Sequence, residues 1–75
     1  MNLDEVATGQ TYKIVSINAN GKLMQKLLDM GFVIGAQIEV IREAPLSDPM
    51  EIKIHSYLIS LRKSEAMLIK VEQCL

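Results

Sequence analysis

Hydrophobic and polar residues alternate along most of this chain, with turn-forming residues between the alternating runs. The clearest run begins at Met50, where apolar side chains at every second position are separated by Glu51, Lys53 and His55. An alternation of period two is typical of strands that bury one face. It predicts strands over residues 11–17, 36–42, 50–55, 57–61 and 67–72, with a tight turn near His55-Ser56 and one helical turn over residues 63–66.

Two segments break the strand pattern and predict helices. Asn2 begins a short helix through Ala7, because Glu5 lies three residues on and can accept from the Asn2 amide as in a capping box. Residues 22–30 form the second helix. At 100° per residue its apolar side chains span an arc of about 160°, wider than the ~100° that a short surface helix needs. The arc contains Leu23, Met24, Leu27, Leu28 and Met30.

Such a wide apolar arc has two interpretations. In the first, all of these side chains belong to the core. In the second, part of the arc binds another protein, for which the flexible thioether of methionine is well suited. The hypothesised partner-binding residues are Leu23, Met24, Leu27 and Met30.

Glycine and proline mark the turns between these elements. Gly31 suits a left-handed cap at the end of the second helix, and Gly35 suits a tight turn leading into strand two. Proline has no N–H to donate to a neighbouring strand, so the segment ending in Asp48-Pro49 is predicted to be a loop. In this loop the side chain of Asp48 would form an Asx-type turn. Ser56 stands where a hairpin favours glycine, which leaves the turn type open.

Five short strands in 75 residues need a way to protect their edges. A closed or nearly closed barrel does this most economically. We therefore expect a mainly β fold: a small SH3-like barrel of about five strands, with a short N-terminal helix and a helix inserted after strand one. Since no linker or repeat is visible, residues 1–75 are expected to form a single domain.

Charge and composition exclude several function classes. Eight basic and nine acidic residues give a net charge of −1. The sequence has no cluster of basic residues of the kind that binds nucleic acid, so we expect no nucleic-acid partner. The acidic start has no apolar run, so neither a signal peptide nor a membrane span is expected. The lone Cys74 fits a reducing compartment, and we expect a cytoplasmic protein that does not insert directly into a membrane.

The sequence offers little chemistry. It has one histidine and one cysteine, too few for a four-ligand zinc or iron site, and His55 is interpreted as a surface residue beside a turn. No nucleophile has a recognisable base and orienting group, and no phosphate-binding glycine motif is present. We expect no catalytic residues, no metal ligands and no cofactor. The protein is predicted not to be an enzyme but to act by binding other proteins.

Several segments carry a family resemblance. The run over residues 28–35 (LDMGFVIG), the later Asp48-Pro49 and the run over residues 61–71 (LRKSEAMLIKV) are similar to the FeoA family. The similarity begins at Asn2 and includes Gly9, so it extends over nearly the whole chain. Members of this family are small SH3-like accessory proteins of bacterial ferrous-iron transport.

The resemblance implies a cytosolic component that supports FeoB, a membrane permease with a cytosolic GTP-binding domain. Iron would then pass through the permease as cargo. Arg62 is a candidate for an arginine supplied in trans to a GTPase, although its place near the end of strand four favours a structural role.

A second class of binding module is an alternative. SH3-like regulatory domains resembling the C-terminal part of iron-dependent transcriptional repressors contact other segments of a transcription factor. They accompany a DNA-binding domain, whereas this sequence opens with its own Met1 and a capped helix. The opening therefore favours the transport accessory.

Overall fold

The computed structural model describes residues 1–42 and 49–74. Its elements confirm the mainly β fold and the helix after strand one. The strands are β1 (Thr11–Ile17), β2 (Gln37–Arg42), β3 (Met50–Ile54), β4 (Tyr57–Leu61) and β5 (Ile69–Gln73). The helices are α1 (Gly21–Asp29) and the one-turn α2 (Lys63–Ala66), with a 3-10 turn at Leu3–Glu5. The Asx turn predicted at Asp48 lies outside the described residues.

All five strands form one antiparallel sheet in the order β4-β3-β2-β1-β5. β4 and β5 occupy opposite edges, and in the described part of the chain they do not pair with each other. The SH3-like barrel is therefore loose and not closed. Shifts of register occur in the β1–β5 and β2–β3 ladders, whereas the β3–β4 ladder runs without one.

The core is aliphatic because the sequence has only three aromatic residues, two tyrosines and one phenylalanine. Phe32 is its largest fully buried side chain. Alternate residues of the strands surround it, as period two requires. The fully or almost fully buried side chains also include Leu3, Ile14, Leu27, Ile38, Val40, Ile52, Ile54, Leu61, Ile69 and Val71.

α1 ends in a Schellman motif that joins the helix to this core. Gly31 has a φ of +99°, the left-handed conformation that an L side chain rarely adopts. The Gly31 amide donates to the Leu28 carbonyl and the Phe32 amide donates to the Leu27 carbonyl, each at 3.0 Å. These two bonds satisfy carbonyls at the helix end and place Phe32 beside Leu27 in the core.

Two predicted elements differ from the structure by more than one residue at an end. The N-terminal helix is only a 3-10 turn that ends at Glu5, although the Asn2 amide does donate to the Glu5 carboxylate at 3.0 Å. β5 begins at Ile69, so the prediction that Met67 is the first residue of this strand was wrong. The Met67 amide donates to the Lys63 carbonyl, which continues the helical turn of α2 and leaves the Met67 side chain 54% exposed.

The β3–β4 turn is strained because both of its central residues are non-glycine residues in a left-handed backbone conformation. His55 and Ser56 have φ values of +51° and +74°, as a type I′ turn requires of both central residues. Left-handed backbone costs an L residue roughly 1–2 kcal/mol. We expect Ser56→Gly to raise the free energy of unfolding by about 0.5–1 kcal/mol in urea titrations followed by circular dichroism. Ser60→Gly, inside β4, is the matched control and should lower it. A Ser56→Gly variant no more stable than the wild type would contradict this account.

Candidate protein-binding surface

The wide apolar arc of α1 is divided between the core and the surface. Leu27 is fully buried, and Leu23 and Met30 pack against the core while remaining partly exposed. Met24 is half-buried, and Leu28 is exposed. On a helical wheel Leu27 lies between these two groups, so the inner side of the arc anchors the helix and the outer side reaches solvent.

Exposed apolar residues continue beyond the end of α1. Val33 and Ile34 follow Phe32 in the turn that leads to β2, and both are exposed, Ile34 by 68%. These two residues and the less buried apolar residues of α1, Met24 and Leu28, are here called the α1 rim. Gly35, at the end of this turn, has a φ of +93°, and its amide donates to the Ile14 carbonyl. The turn is thus fixed to β1, which holds the rim in place.

On the other side of α1 a groove separates the end of the helix from β4. Met30 and Gly31 line one side, and Tyr57, Leu58 and Ile59 line the other, enclosing about 610 Å³. Tyr57 and Leu58 are 70% and 67% exposed, which is unusual for large apolar side chains on a strand. This α1–β4 groove was missed at the level of sequence, where the alternation of residues 57–61 indicated an ordinary half-buried strand.

An ion pair links the two helices beside the groove. The Lys26 ammonium of α1 donates to the Glu65 carboxylate of α2 at 2.6 Å. This hydrogen bond from Lys26, with a further one from the Arg62 amide, holds the pKa of the Glu65 carboxyl below its ordinary value against the opposing effect of burial. The Glu65 carboxyl is therefore ionised at neutral pH, and its bond to Lys26 connects α2 to α1.

Of the remaining candidate residues, Pro49 and Arg62 line one concavity, whereas His55 and Cys74 lie elsewhere. His55 is exposed in the β3–β4 turn, with its ring near Gly31: a Cβ built on Gly31 would meet His55 Cδ2 at 3.2 Å. Cys74 is a free, partly exposed thiol after β5. Arg62 is exposed at the end of β4, and Pro49 is exposed just before β3. The structure brings none of these together with the α1 rim into one reactive site.

Residues 1–42 and 49–74 contain neither a metal-ligating cluster nor a membrane-spanning helix. No group of three or more histidine, cysteine or acidic side chains is placed to hold a metal ion in this part of the chain. Nor does any helix there have the length and apolar character needed to cross a bilayer.

Comparison with known proteins now identifies the family. The model of the FeoA domain matches residues 1–73 of this chain. The chain belongs to the FeoA family. Among characterised relatives it is 42% identical over 72 residues to an Fe(2+) transport protein A/Fe(2+) transporter FeoB fusion protein of Porphyromonas gingivalis. It is 30% identical over 71 residues to a protein of Campylobacter jejuni named as an Fe(2+) transport protein A.

Solved FeoA structures have the same fold. The iron(II) transport protein A of Clostridium thermocellum superposes with a TM-score of 0.92 at 44% identity. The FeoA protein of Stenotrophomonas maltophilia, crystallised with zinc and described as a prokaryotic SH3 domain protein, superposes with a TM-score of 0.83 at 24% identity over 96% of this chain and 89% of its own. The FeoA family fold is thus SH3-like, as expected from the sequence.

The relatives differ greatly in length. The matched region is 96% of this chain but only 8% of the Porphyromonas fusion protein, whereas it is 95% of this chain and 96% of the Campylobacter protein. It covers 97% of this chain and 45% of the Clostridium chain. The FeoA domain therefore occurs both as most of a short protein and as a small part of a long one.

Proposed function

We propose that this chain is a non-enzymatic, cytoplasmic accessory protein of ferrous-iron uptake that binds the cytosolic face of an FeoB-type permease. The observation that carries the proposal is the Porphyromonas relative, whose name joins an FeoA part to an FeoB transporter in one chain. Covalent linkage gives two modules an effective concentration in the millimolar range, so a fusion favours modules that act together. In this proposal residues 1–75 act as one binding domain.

The binding face that we propose is the outer side of α1, as hypothesised from its apolar arc. Met24 would contact the permease, while Leu23, Leu27 and Met30 hold the helix on the core. Leu28 adds exposed apolar surface beside Met24. Exposed apolar residues grouped on one helix and its following turn are typical of a protein-binding surface.

Iron enters this proposal only as the cargo of the permease. The chain contributes no catalytic group and no cofactor, and Arg62 has the structural role of connecting β4 to α2. The effect of this protein on transport would come from its binding to the GTP-binding domain of FeoB or to the adjoining cytosolic part of FeoB.

An NMR titration tests the proposal. The labelled protein is mixed with the cytosolic portion of the cognate FeoB-type permease, with and without a GTP analogue. We expect the chemical-shift changes to include residues 21–35, which contain α1 and the rim. No change at high concentrations of the permease portion, with either nucleotide state, would overturn the proposal.

A pair of methionine variants locates the face. Met24→Glu places a charge on the half-buried outer side of α1 and should abolish the shift changes without unfolding the domain. Met67→Glu is the matched control, because Met67 is exposed in a different concavity with Ser16 and Asn18. Equal binding by both variants would exclude the α1 rim, and circular dichroism of both shows that the fold is retained.

The regulatory-domain alternative is supported by fold alone. A manganese-dependent transcriptional repressor superposes with a TM-score of 0.90 over 99% of this chain and 41% of its own, at 17% identity. In that alternative the native gene product includes a DNA-binding domain. The length of the native protein, measured by mass spectrometry of the purified endogenous chain, distinguishes the two.

A further inference from the structure

The outer edge of β4 presents unpaired backbone groups. β3 and β4 are joined by a two-residue turn, with Ile54 opposite Tyr57 and Ile52 opposite Ile59. In a hairpin of this kind the residues that flank the turn form a hydrogen-bonded pair, and such pairs recur at every second position. The N–H and C=O groups of Leu58 and Ser60 therefore point away from β3. Within residues 1–42 and 49–74, no backbone hydrogen bond outside the strand ladders involves either residue.

The opposite edge of the sheet, β5, is partly covered by the N-terminal residues and carries charged side chains. The Val71 amide of β5 donates to the Met1 carbonyl at 2.8 Å, and Asn2 forms a bridge with Lys70. β5 also carries charged side chains, Lys70 and Glu72. Proteins protect edge strands by covering them, by charges, by prolines or by bulges. β4 (YLISL) has no charge and no proline, and its ladder with β3 has no register shift.

Two concavities border this edge. The α1–β4 groove encloses about 610 Å³ at the Tyr57 end of β4. A second concavity of about 310 Å³ lies at the other end, where Ser60 and Arg62 face Lys26. Residues of β4 line both, together with Asp29 at the end of α1 in the first and Lys26 of α1 in the second. An edge strand facing a helix across a groove is the arrangement by which several peptide-binding domains add a strand from their ligand.

The charges along the groove differ between its two ends. At the Tyr57 end the groove is lined by the acidic residue Asp29, whose carboxylate accepts a hydrogen bond from Gln25 at 2.8 Å. At the other end Glu65 is paired with Lys26, and Arg62 adds a positive charge. An antiparallel strand would run with its first residues beside Arg62 and its last beside Asp29. Its complementary charges are acidic at the start and basic at the end.

We propose that the β4 edge binds an extended segment of the permease, which adds antiparallel to β4 as a sixth strand. The inference rests on the proposed function. The segment has uncharged apolar side chains at its centre that cover Tyr57, Leu58 and Met30, an acidic residue near its N-terminal end and a basic residue near its C-terminal end. Its backbone pairs with the free groups of Leu58 and Ser60. An added strand is recognised both through its backbone hydrogen bonds and through every second side chain. The β4 edge would therefore give the binding a sequence specificity that the α1 rim alone does not supply.

Hydrogen exchange in the complex tests the pairing directly. In the free protein the amides of Leu58 and Ser60 should exchange quickly, while those of Tyr57 and Ile59, bonded to β3, exchange slowly. Binding of the cytosolic portion of the permease should slow the first pair markedly. Fast exchange of Leu58 and Ser60 in a saturated complex overturns the inference and leaves the proposed function intact.

A proline at position 60 provides a second test. Ser60→Pro removes an N–H that faces away from β3, and prolines are tolerated on edge strands in that orientation. We expect it to weaken permease binding about tenfold or more, since it removes one hydrogen bond and obstructs the added strand. Ser60→Ala, which keeps the N–H, is the matched control and should bind as the wild type does. Thermal unfolding of both variants verifies the fold.

The outcomes separate the two proposals. Binding by the wild type and by Ser60→Ala, but not by Ser60→Pro, supports strand addition. Equal binding by all three overturns it without affecting the accessory role. A wild-type chain that binds no cytosolic part of the permease overturns both.

Discussion

Phe32→Ala should remove a large part of the free energy of unfolding. Phe32 is fully buried, and replacing a buried phenylalanine with alanine costs about 3–5 kcal/mol. A domain of this length has a total stability of only about 4–11 kcal/mol. The substitution therefore removes much of the available stability. Urea unfolding followed by far-ultraviolet circular dichroism measures the loss.

The matched control for Phe32→Ala lies two residues on. Ile34→Ala also truncates a large apolar side chain, but Ile34 is 68% exposed, so its unfolding free energy should change by less than about 0.5 kcal/mol. A loss below about 1 kcal/mol for Phe32→Ala would show that the core can repack around the missing ring. That result would contradict the placement of Phe32 at the centre of the core.

Leu27→Ala should cost about 2–5 kcal/mol, because Leu27 is fully buried and its neighbours cannot all move to fill the space. Its neighbour in sequence provides the control. Leu28 has the same side chain and the same helix, but it is 39% exposed. Leu28→Ala should therefore cost less than about 1 kcal/mol. Urea titrations of both variants give the comparison.

The pair also divides α1 into an anchoring side and an outer side. A large loss for Leu27→Ala with a small one for Leu28→Ala means that binding by Leu28 variants can be measured on a folded protein. Similar losses for the two would show that α1 is buried more evenly than the structure indicates. The α1 rim would then be unavailable to a partner.

Most of the fold was predictable because alternation reports burial directly. β1, β3 and β4 begin where the sequence placed them, and α1 is displaced by a single residue at each end. The ends of an element were harder to predict where a strand pattern and a helical pattern overlap. Met67 alternates correctly with the following strand, yet the helical turn of α2 includes it, so local hydrogen bonding decided against the pattern.

The candidate surfaces depend on information that a sequence does not contain. The helical wheel grouped Leu23, Met24, Leu27 and Met30, but which of them are buried depends on where α1 lies on the sheet. Likewise, Tyr57 alternates as a buried residue would. It is 70% exposed at the turn end of β4, whereas Leu61, at the other end of the same strand, is buried. The absence of charge from β4 was the one signal in the sequence that distinguished this strand.

The pairing of β1 with β5 has a consequence for how the chain folds during synthesis. β1 is the first strand to leave the ribosome, yet Ile14 lies opposite Val71, almost at the other end of the chain. Contacts between residues so distant in sequence slow folding into the range of milliseconds to seconds. The first ladders available to the nascent chain are β3–β4 and β2–β3, and β1 stays paired on one side only until β5 emerges. Stalled or truncated chains that lack β5 would thus expose a hydrophobic strand edge, the kind of intermediate that chaperones bind and that aggregates when it persists.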